Sequence, residues 1–153
     1  MQTLAEIRSL LESHGLAPKK SLGQNFLIDH NLISNLVRES GVASGDLVLE
    51  IGPGTGTLTE ELLARGASVL ACELDDGLVG LLRHRFAEEL AEGRLQLIHG
   101  DCLERKSALN TEIGSALEGR PFRLIANLPY GASSPLMVLL ARERNCLGQF
   151  VTV

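Results

Sequence analysis

The stretch LVLEIGPGTGT, residues 47–57, decides the fold of this 153-residue chain. A short apolar run ends at glycines 52, 54 and 56, and an apolar helical pattern starts directly afterwards. This order is typical of a buried strand that turns into a helix and lets a ligand approach the backbone of Gly52, Gly54 and Gly56. A dinucleotide fingerprint would need glycine at position 57, which is threonine. The spacing therefore favours an adenosyl ligand without pyrophosphate over a ligand-free turn, with Glu50 facing the ligand's positively charged amino acid end.

The rest of the chain alternates short apolar runs with helical patterns. Strands are predicted at residues 47–51, 68–72, 95–99, 122–126 and 147–153, and helices at 58–65, 77–90, 104–119 and 135–144. Short apolar strands separated by helices indicate a parallel sheet that is covered on both faces. The predicted fold class is α/β, with a Rossmann-like core at residues 46–153 and a helical amino-terminal extension at residues 1–45.

Polar groups follow the next two predicted strands, at the edge where such sheets bind ligands. Glu73 is placed to accept hydrogen bonds from both hydroxyls of a ribose. Asp101 can accept a hydrogen bond from an adenine amino group, and the Cys102 N–H can donate to a ring nitrogen. Each of these residues also suits an ordinary helix cap or turn, but three such loops in register are less easily explained by chance.

Asn127-Leu128-Pro129-Tyr130 follows the fourth predicted strand of the sheet. The Asn127 carbonyl and a neighbouring backbone carbonyl can accept hydrogen bonds from one exocyclic amino group. Tyr130 can stack on a flat base, as aromatic side chains do when they hold bases outside a helix. An ordinary turn is the alternative, because asparagine and proline are common in turns.

Composition limits the class of protein. The chain is 44% hydrophobic with a net charge of −5, and it has no apolar run of the roughly 18 residues that cross a membrane. It lacks a secretory pattern, and its three widely spaced cysteines suit a reducing compartment. These features predict a cytoplasmic protein with no membrane partner and no metal site, although the acidic charge is unusual for binding nucleic acid.

The order of these motifs resembles the S-adenosylmethionine-dependent adenine N-methyltransferases. Two further stretches, KSLGQNFL (residues 20–27) and NLPYGASSP (residues 127–135), resemble the small-subunit ribosomal RNA adenine dimethyltransferases. The resemblance extends from about Pro18 to Val153. It implies S-adenosylmethionine as cofactor, the small-subunit ribosomal RNA or its precursor particle as partner, and dimethylation of two adjacent adenosines in the terminal hairpin.

The resemblance also implies roles for individual residues. It assigns cofactor binding to Asn25, Leu27, Gly52, Glu73, Asp101 and Asn127. It assigns the target base to Asn127, Leu128, Pro129 and Tyr130, and it implies direct methyl transfer without a strong base. Large-subunit resistance methylases, a non-catalytic ribosome-assembly protein and a nicotinamide-dependent oxidoreductase are the alternatives.

The resemblance further implies strands and a helical domain beyond residue 153. We therefore expect these residues to bind the cofactor but to lose most methyl transfer. The longer protein that the resemblance implies is expected to be a monomer. Residues 1–153 alone are expected to self-associate, because their last strand would be an apolar edge strand that can pair with another chain.

Overall fold

A sheet of five parallel strands positions the strand ends that carry the predicted site. The structure, a computed structural model, describes residues 1–17, 29–128 and 130–152, without the side chains of Tyr130 and Ala132. The sheet contains β1 (Leu47–Ile51), β2 (Ser68–Glu73), β3 (Leu95–His99), β6 (Phe122–Asn127) and β7 (Cys146–Thr152). Its order is β3-β2-β1-β6-β7. Strands β2 and β3 follow β1 toward one edge of the sheet, and β6 and β7 lie toward the other edge. The switch point therefore lies between the neighbouring strands β1 and β6. Ligands of such sheets bind outside the carboxyl ends of the strands at this switch point.

Seven helices and a small hairpin complete the described fold. The helices are α1 (Leu4–Ser13), α2 (His30–Glu39), α3 (Thr57–Ala64), α4 (Asp76–Arg85), α5 (Ala87–Ala91), α6 (Thr111–Leu117) and α7 (Tyr130–Leu140). The hairpin pairs β4 (Leu103–Arg105) with β5 (Ala108–Leu109). Thr3 and Glu6 form a capping box at the start of α1, and the Asp29 side chain caps α2.

Two buried clusters, one on each face of the sheet, hold these elements together. Successive residues of a strand point to opposite faces. Val48 of β1 accordingly packs with apolar residues of α1, α2, α3 and α4, whereas Leu49 packs with residues of α6 and α7. The predicted α/β class with helices on both faces is confirmed. The division between an amino-terminal extension and a core after residue 45 stays a prediction. Ile7 and Ile33 of the extension belong to the same buried cluster as Val48 of the core.

Three predicted helices differ from the observed ones. The segment 104–119 forms the β4–β5 hairpin before α6, because Asn110 caps α6 and starts it only at Thr111. The segment 77–90 divides into α4 and α5 at Phe86, whose backbone leaves the helical conformation. The last helix begins at Tyr130, before the predicted start at Pro135, and ends at Leu140. Proline favours the first turn of a helix, which is why the sequence predicts a start at Pro135. In the structure Pro135 lies inside α7, where proline removes one backbone hydrogen bond and crowds the preceding turn.

The strand β7 forms one edge of the described sheet, and Leu147 on it is 58% exposed. Self-association through this edge stays a prediction. Among the helices of the described ranges, none is long and apolar enough to cross a membrane.

Candidate functional site

The turn after β1 and the end of β6 lie side by side at the switch point. The Gly52 N–H donates to the Cys72 carbonyl of β2 at 2.9 Å, which fixes the start of the turn. Gly52 has a φ of +68°, a conformation that residues with a side chain rarely adopt. Among the described residues, the one atom within 4 Å of a Cβ built there is the Asn127 backbone oxygen, at 3.9 Å. The backbone at Gly52 therefore lies next to Asn127 and is not crowded by the other described residues.

Glu73, the last residue of β2, is held against the glycine-rich turn. Its Oε2 accepts a hydrogen bond from the Gly54 N–H at 3.1 Å, and its Oε1 accepts one from the Asp75 N–H at 3.0 Å. The residue is only 5% exposed, and this burial raises the pKa of its carboxyl, while the two N–H groups oppose the increase. A carboxylate has about four acceptor positions, so these bonds orient it without exhausting its capacity. Glu73 thus fits the predicted role of a ribose ligand.

The loop after β3 joins the same edge of the sheet. The Gly100 N–H donates to the Glu73 carbonyl at 3.0 Å. The exposed Asp101 accepts a hydrogen bond from the Leu103 N–H at 3.0 Å, and its backbone carbonyl accepts one from the Asn110 amide at 2.8 Å. Cys102 is 7% exposed. The structure therefore places Asp101 and Cys102 beside Glu73, and their contacts to an adenine stay predictions.

Asn127 ends β6, and its side chain is oriented by the neighbouring strand. Its Oδ1 accepts a hydrogen bond from the Thr152 hydroxyl at 2.9 Å. The Thr152 carbonyl in turn accepts a hydrogen bond from the Leu128 N–H at 2.8 Å, and Leu128 is buried. Thr152 is not among the predicted site residues, because its only signal in the sequence is a hydroxyl at the end of an apolar strand. Thr152 thereby holds Asn127 and Leu128 at the end of β6, and their role in binding a base stays a prediction.

Four predicted site residues lie wholly or partly outside the described residues. Asn25 and Leu27 fall within residues 18–28, and Pro129 also lies outside the described residues. Tyr130 is the first residue of α7, but its side chain is not described. Their roles stay predictions.

The Glu50 side chain is buried among the described residues, whereas the sequence predicts that it faces the ligand. It is 1% exposed, and its Oε2 accepts a hydrogen bond from the Thr59 hydroxyl of α3 at 2.7 Å. Glu50 lies two residues after Val48 and therefore points to the face of the sheet that α3 covers. Burial raises the pKa of its carboxyl to about 8, against the lowering effect of the Thr59 bond. A direct contact between Glu50 and a ligand stays an untested prediction.

Gly56 is required by packing as well as by its conformation. It precedes α3 with a φ of +89°, and a Cβ built there would lie 2.5 Å from Cε2 of the buried Phe86. The backbone contact of Gly56 with a cofactor stays a prediction. The side on which its Cβ would lie is already filled by α4 and Phe86.

We expect Gly56→Ala to lower the free energy of unfolding by about 2–4 kcal/mol, through crowding and the left-handed conformation. Gly80→Ala is the matched control, because Gly80 lies inside α4 and a Cβ there meets nothing within 4 Å. Alanine should stabilise that helix by up to about 1 kcal/mol. Urea denaturation of both variants measures the two changes. A loss below about 1 kcal/mol for Gly56→Ala would contradict the packing argument.

The buried thiols are poorly suited to nucleophilic chemistry. Burial raises the pKa of Cys72 to about 12 and that of Cys102 to about 11, and all three cysteines are free. In the described part of the chain, no group of three histidine, cysteine or acidic residues could hold a metal ion. The described residues bring carboxylate, carboxamide, hydroxyl and backbone groups to the strand ends.

The strand order, the glycine-rich turn after β1, the acid that ends β2 and the asparagine that ends β6 define a Rossmann-like methyltransferase domain. Comparison with known families narrows this class, because the family described as Ribosomal RNA adenine dimethylase matches residues 15–151. The chain belongs to this family.

Individual relatives agree with the family. The chain is 41% identical over 145 residues to the Ribosomal RNA small subunit methyltransferase A of Pelotomaculum thermopropionicum, covering 92% of this chain and 48% of the relative. It is 45% identical over 138 residues to the protein of the same name from Leifsonia xyli, covering 89% and 46%. The chain thus spans about half the length of the curated relatives it matches.

Solved structures show the same fold. A 23S rRNA methyltransferase, ErmE, superposes with a TM-score of 0.64 at 25% identity, covering 80% of this chain and 45% of that protein. A dimethyladenosine transferase from Plasmodium falciparum superposes with a TM-score of 0.60 at 27% identity, covering 80% and 40%.

Proposed function

We propose that this chain carries the part of an enzyme that binds the cofactor and the target base, and that this enzyme methylates adenosines in small-subunit ribosomal RNA. The cofactor is S-adenosylmethionine, and the targets are the exocyclic amino groups of two adjacent adenosines in the terminal hairpin. With the small-subunit ribosomal RNA or its precursor particle as partner, the protein would act in ribosome biogenesis in the cytoplasm. One observation carries the proposal: an oriented carboxylate, Glu73, and an oriented carboxamide, Asn127, flank the same glycine-rich turn.

The residues of the turn and of the second and third loops fit the cofactor. Glu73 has acceptor capacity for ribose hydroxyls, and Gly52 leaves the backbone accessible. Asp101 offers a carboxylate for an adenine amino group. When bound, S-adenosylmethionine supplies a sulfonium methyl group that an amino nitrogen can attack.

Asn127 and Leu128 would orient the target amine. The Asn127 Oδ1 and the backbone carbonyl of Leu128 or Pro129 can accept hydrogen bonds from the two N–H groups of one adenine. These acceptors aim the nitrogen lone pair and stabilise the positive charge that develops on it. Thr152 keeps the carboxamide in place, so Oδ1 stays directed while the base binds. Positioning of this kind requires no strongly basic side chain.

A large-subunit ribosomal RNA methylase is the second candidate, and the structural similarity to ErmE favours it. The curated relatives support the small subunit, because they are 41% and 45% identical and carry small-subunit names, whereas ErmE is 25% identical. Incorporation of labelled methyl groups into isolated small and large ribosomal subunits separates the two, at a protein concentration high enough to detect the low residual activity expected of these 153 residues. Labelling of the large subunit alone would replace our proposal by the second candidate.

Calorimetric titration of the chain with S-adenosylmethionine tests the proposed function directly. We expect saturable binding of one molecule per chain and at least a hundredfold weaker binding of NAD, because the GxGxG turn lacks the third glycine of a dinucleotide site. Circular dichroism must show that the titrated protein is folded. Absence of S-adenosylmethionine binding by the folded chain, or preference for NAD, would refute the proposal.

A further inference from the structure

Gln2 is buried although it lies among exposed residues. It is 7% exposed, whereas Met1 is 40% and Leu4 is 52% exposed. Glutamine is rarely buried to this extent unless its polar atoms are hydrogen-bonded. The contacts of Gln2 therefore indicate why the chain folds back at this point.

The Gln2 side chain contacts the glycine-rich turn. Its Oε1 accepts hydrogen bonds from the hydroxyls of Thr55 at 2.9 Å and Thr57 at 2.5 Å. These threonines flank Gly56, the N-cap of α3, which provides no side-chain cap of its own. An amide oxygen has two lone pairs, so the turn uses the full acceptor capacity of this atom.

The Gln2 backbone contacts a second segment. Its carbonyl oxygen lies 2.5 Å from the His30 Nε2, which must donate because a carbonyl can only accept. His30 is the first residue of α2 and closely follows residues 18–28, which include the predicted cofactor residues Asn25 and Leu27. One residue thus joins the glycine-rich turn to the start of α2.

The turn is also held from two other directions. Arg85 donates to the Thr55 carbonyl at 2.5 Å and pairs with Glu60 of α3. On the side of the sheet, the Gly54 N–H donates to Glu73. Gln2 adds a third set of contacts to the turn, from a segment outside the sheet. Removing its side chain would leave the hydroxyls of Thr55 and Thr57 without this acceptor.

We propose that Gln2 is a positioning residue that fixes the glycine-rich turn in the conformation that binds the cofactor. This inference rests on the proposed function, because it concerns the same site. Gln2 acts through Thr55 and Thr57 and does not touch the ligand itself. Its loss should lower cofactor affinity and loosen the turn while the sheet stays folded.

The test compares Gln2→Ala with Thr55→Val/Thr57→Val and with the triple variant, all in the 153-residue chain. Calorimetry measures the affinity for S-adenosylmethionine at a temperature where each protein is folded, and hydrogen exchange follows the Gly54 and Gly56 amides without ligand. We expect Gln2→Ala to bind about five- to twentyfold more weakly, with faster exchange at both amides. The triple variant should bind S-adenosylmethionine about as weakly as Thr55→Val/Thr57→Val, because the Gln2 side chain has lost both of its hydroxyl partners in that background.

Ser13→Ala is the control, because it removes a hydroxyl bond to the Leu10 carbonyl at the other end of α1 and should leave affinity unchanged. Should Gln2→Ala not fold, Thr57→Val alone must show a smaller loss in the same direction. Unchanged affinity and exchange in Gln2→Ala, or an equal loss with and without the hydroxyls, would overturn the inference. If the wild type binds no S-adenosylmethionine, the proposed function fails, and the exchange rates still decide whether Gln2 holds the turn.

Discussion

Replacing Glu73 with alanine is expected to weaken S-adenosylmethionine binding about ten- to a hundredfold. Hydrogen bonds from ribose hydroxyls to a carboxylate are charge-assisted and stronger than bonds between neutral groups. The substitution also removes the acceptor of the Gly54 and Asp75 N–H groups, so the turn loses its contact with β2. Titration calorimetry on wild type and variant measures the loss.

The matched control for this prediction is Glu88→Gln, which neutralises an exposed carboxylate on α5. It changes the net charge by one unit but removes no contact at the strand ends, so its affinity should equal that of the wild type. Glu73→Gln should give an intermediate loss, because the two N–H groups bind different carboxylate oxygens and the NH2 that replaces one of these oxygens can only donate. A loss of less than about threefold for Glu73→Ala, in a protein that remains folded, would show that this carboxylate does not hold the ribose.

The sheet could be predicted well because its strands are short apolar runs bounded by glycine or polar residues. The strands β1 and β3 have the predicted limits, Leu47–Ile51 and Leu95–His99. The hairpin before α6 could not be predicted in this way, because β4 and β5 have only three and two residues and show no clear alternation. The division at Phe86 depends on tertiary packing, since this ring is buried against Gly56.

The site could be predicted only where the motif itself carries the relevant group. Glu73, Asp101 and Asn127 follow strands, and parallel strand ends meet at one edge, so their proximity follows from the fold class. Their supporting contacts involve residues distant in sequence, such as Thr152 for Asn127 and Gln2 for the turn. No local pattern marks these partners, because each is one polar side chain in an unremarkable segment.

Glu50 shows how the position of a strand changes the chemistry of a motif residue. β1 lies in the middle of the sheet, and all five of its residues are buried. The carboxyl is therefore surrounded by protein, accepts a hydrogen bond from Thr59 and lies near the like charge of Glu73. Burial disfavours the charged form most strongly, and Glu73 adds to this effect.

Replacing Glu50 with glutamine is expected to remove a pH-dependent loss of stability. The pKa of this carboxyl is raised from 4.5 to about 8 in the folded protein, so its contribution is fully present below pH 4.5. As the pH rises towards 8, the unfolded chain loses the proton and the folded chain keeps it, so stability falls. The slope approaches about 1.4 kcal/mol per pH unit. Relative to the wild type, Glu50→Gln should therefore gain about 3–4 kcal/mol in free energy of unfolding between pH 5 and pH 8.

Urea denaturation of both proteins at pH 5, 6.5 and 8 measures this difference, in which the contributions of the other carboxylates largely cancel. The neutral amide can still accept the Thr59 hydroxyl bond, so the two proteins should have similar stability at pH 5. Thr59→Val provides the opposite test, because that bond lowers the pKa of Glu50 and its loss should extend the decline above pH 8. Parallel stability curves for wild type and Glu50→Gln would mean that the folded protein holds Glu50 ionised throughout this range. A buried carboxylate of that kind would need a cationic partner within the folded protein itself, because no ligand is present in this measurement.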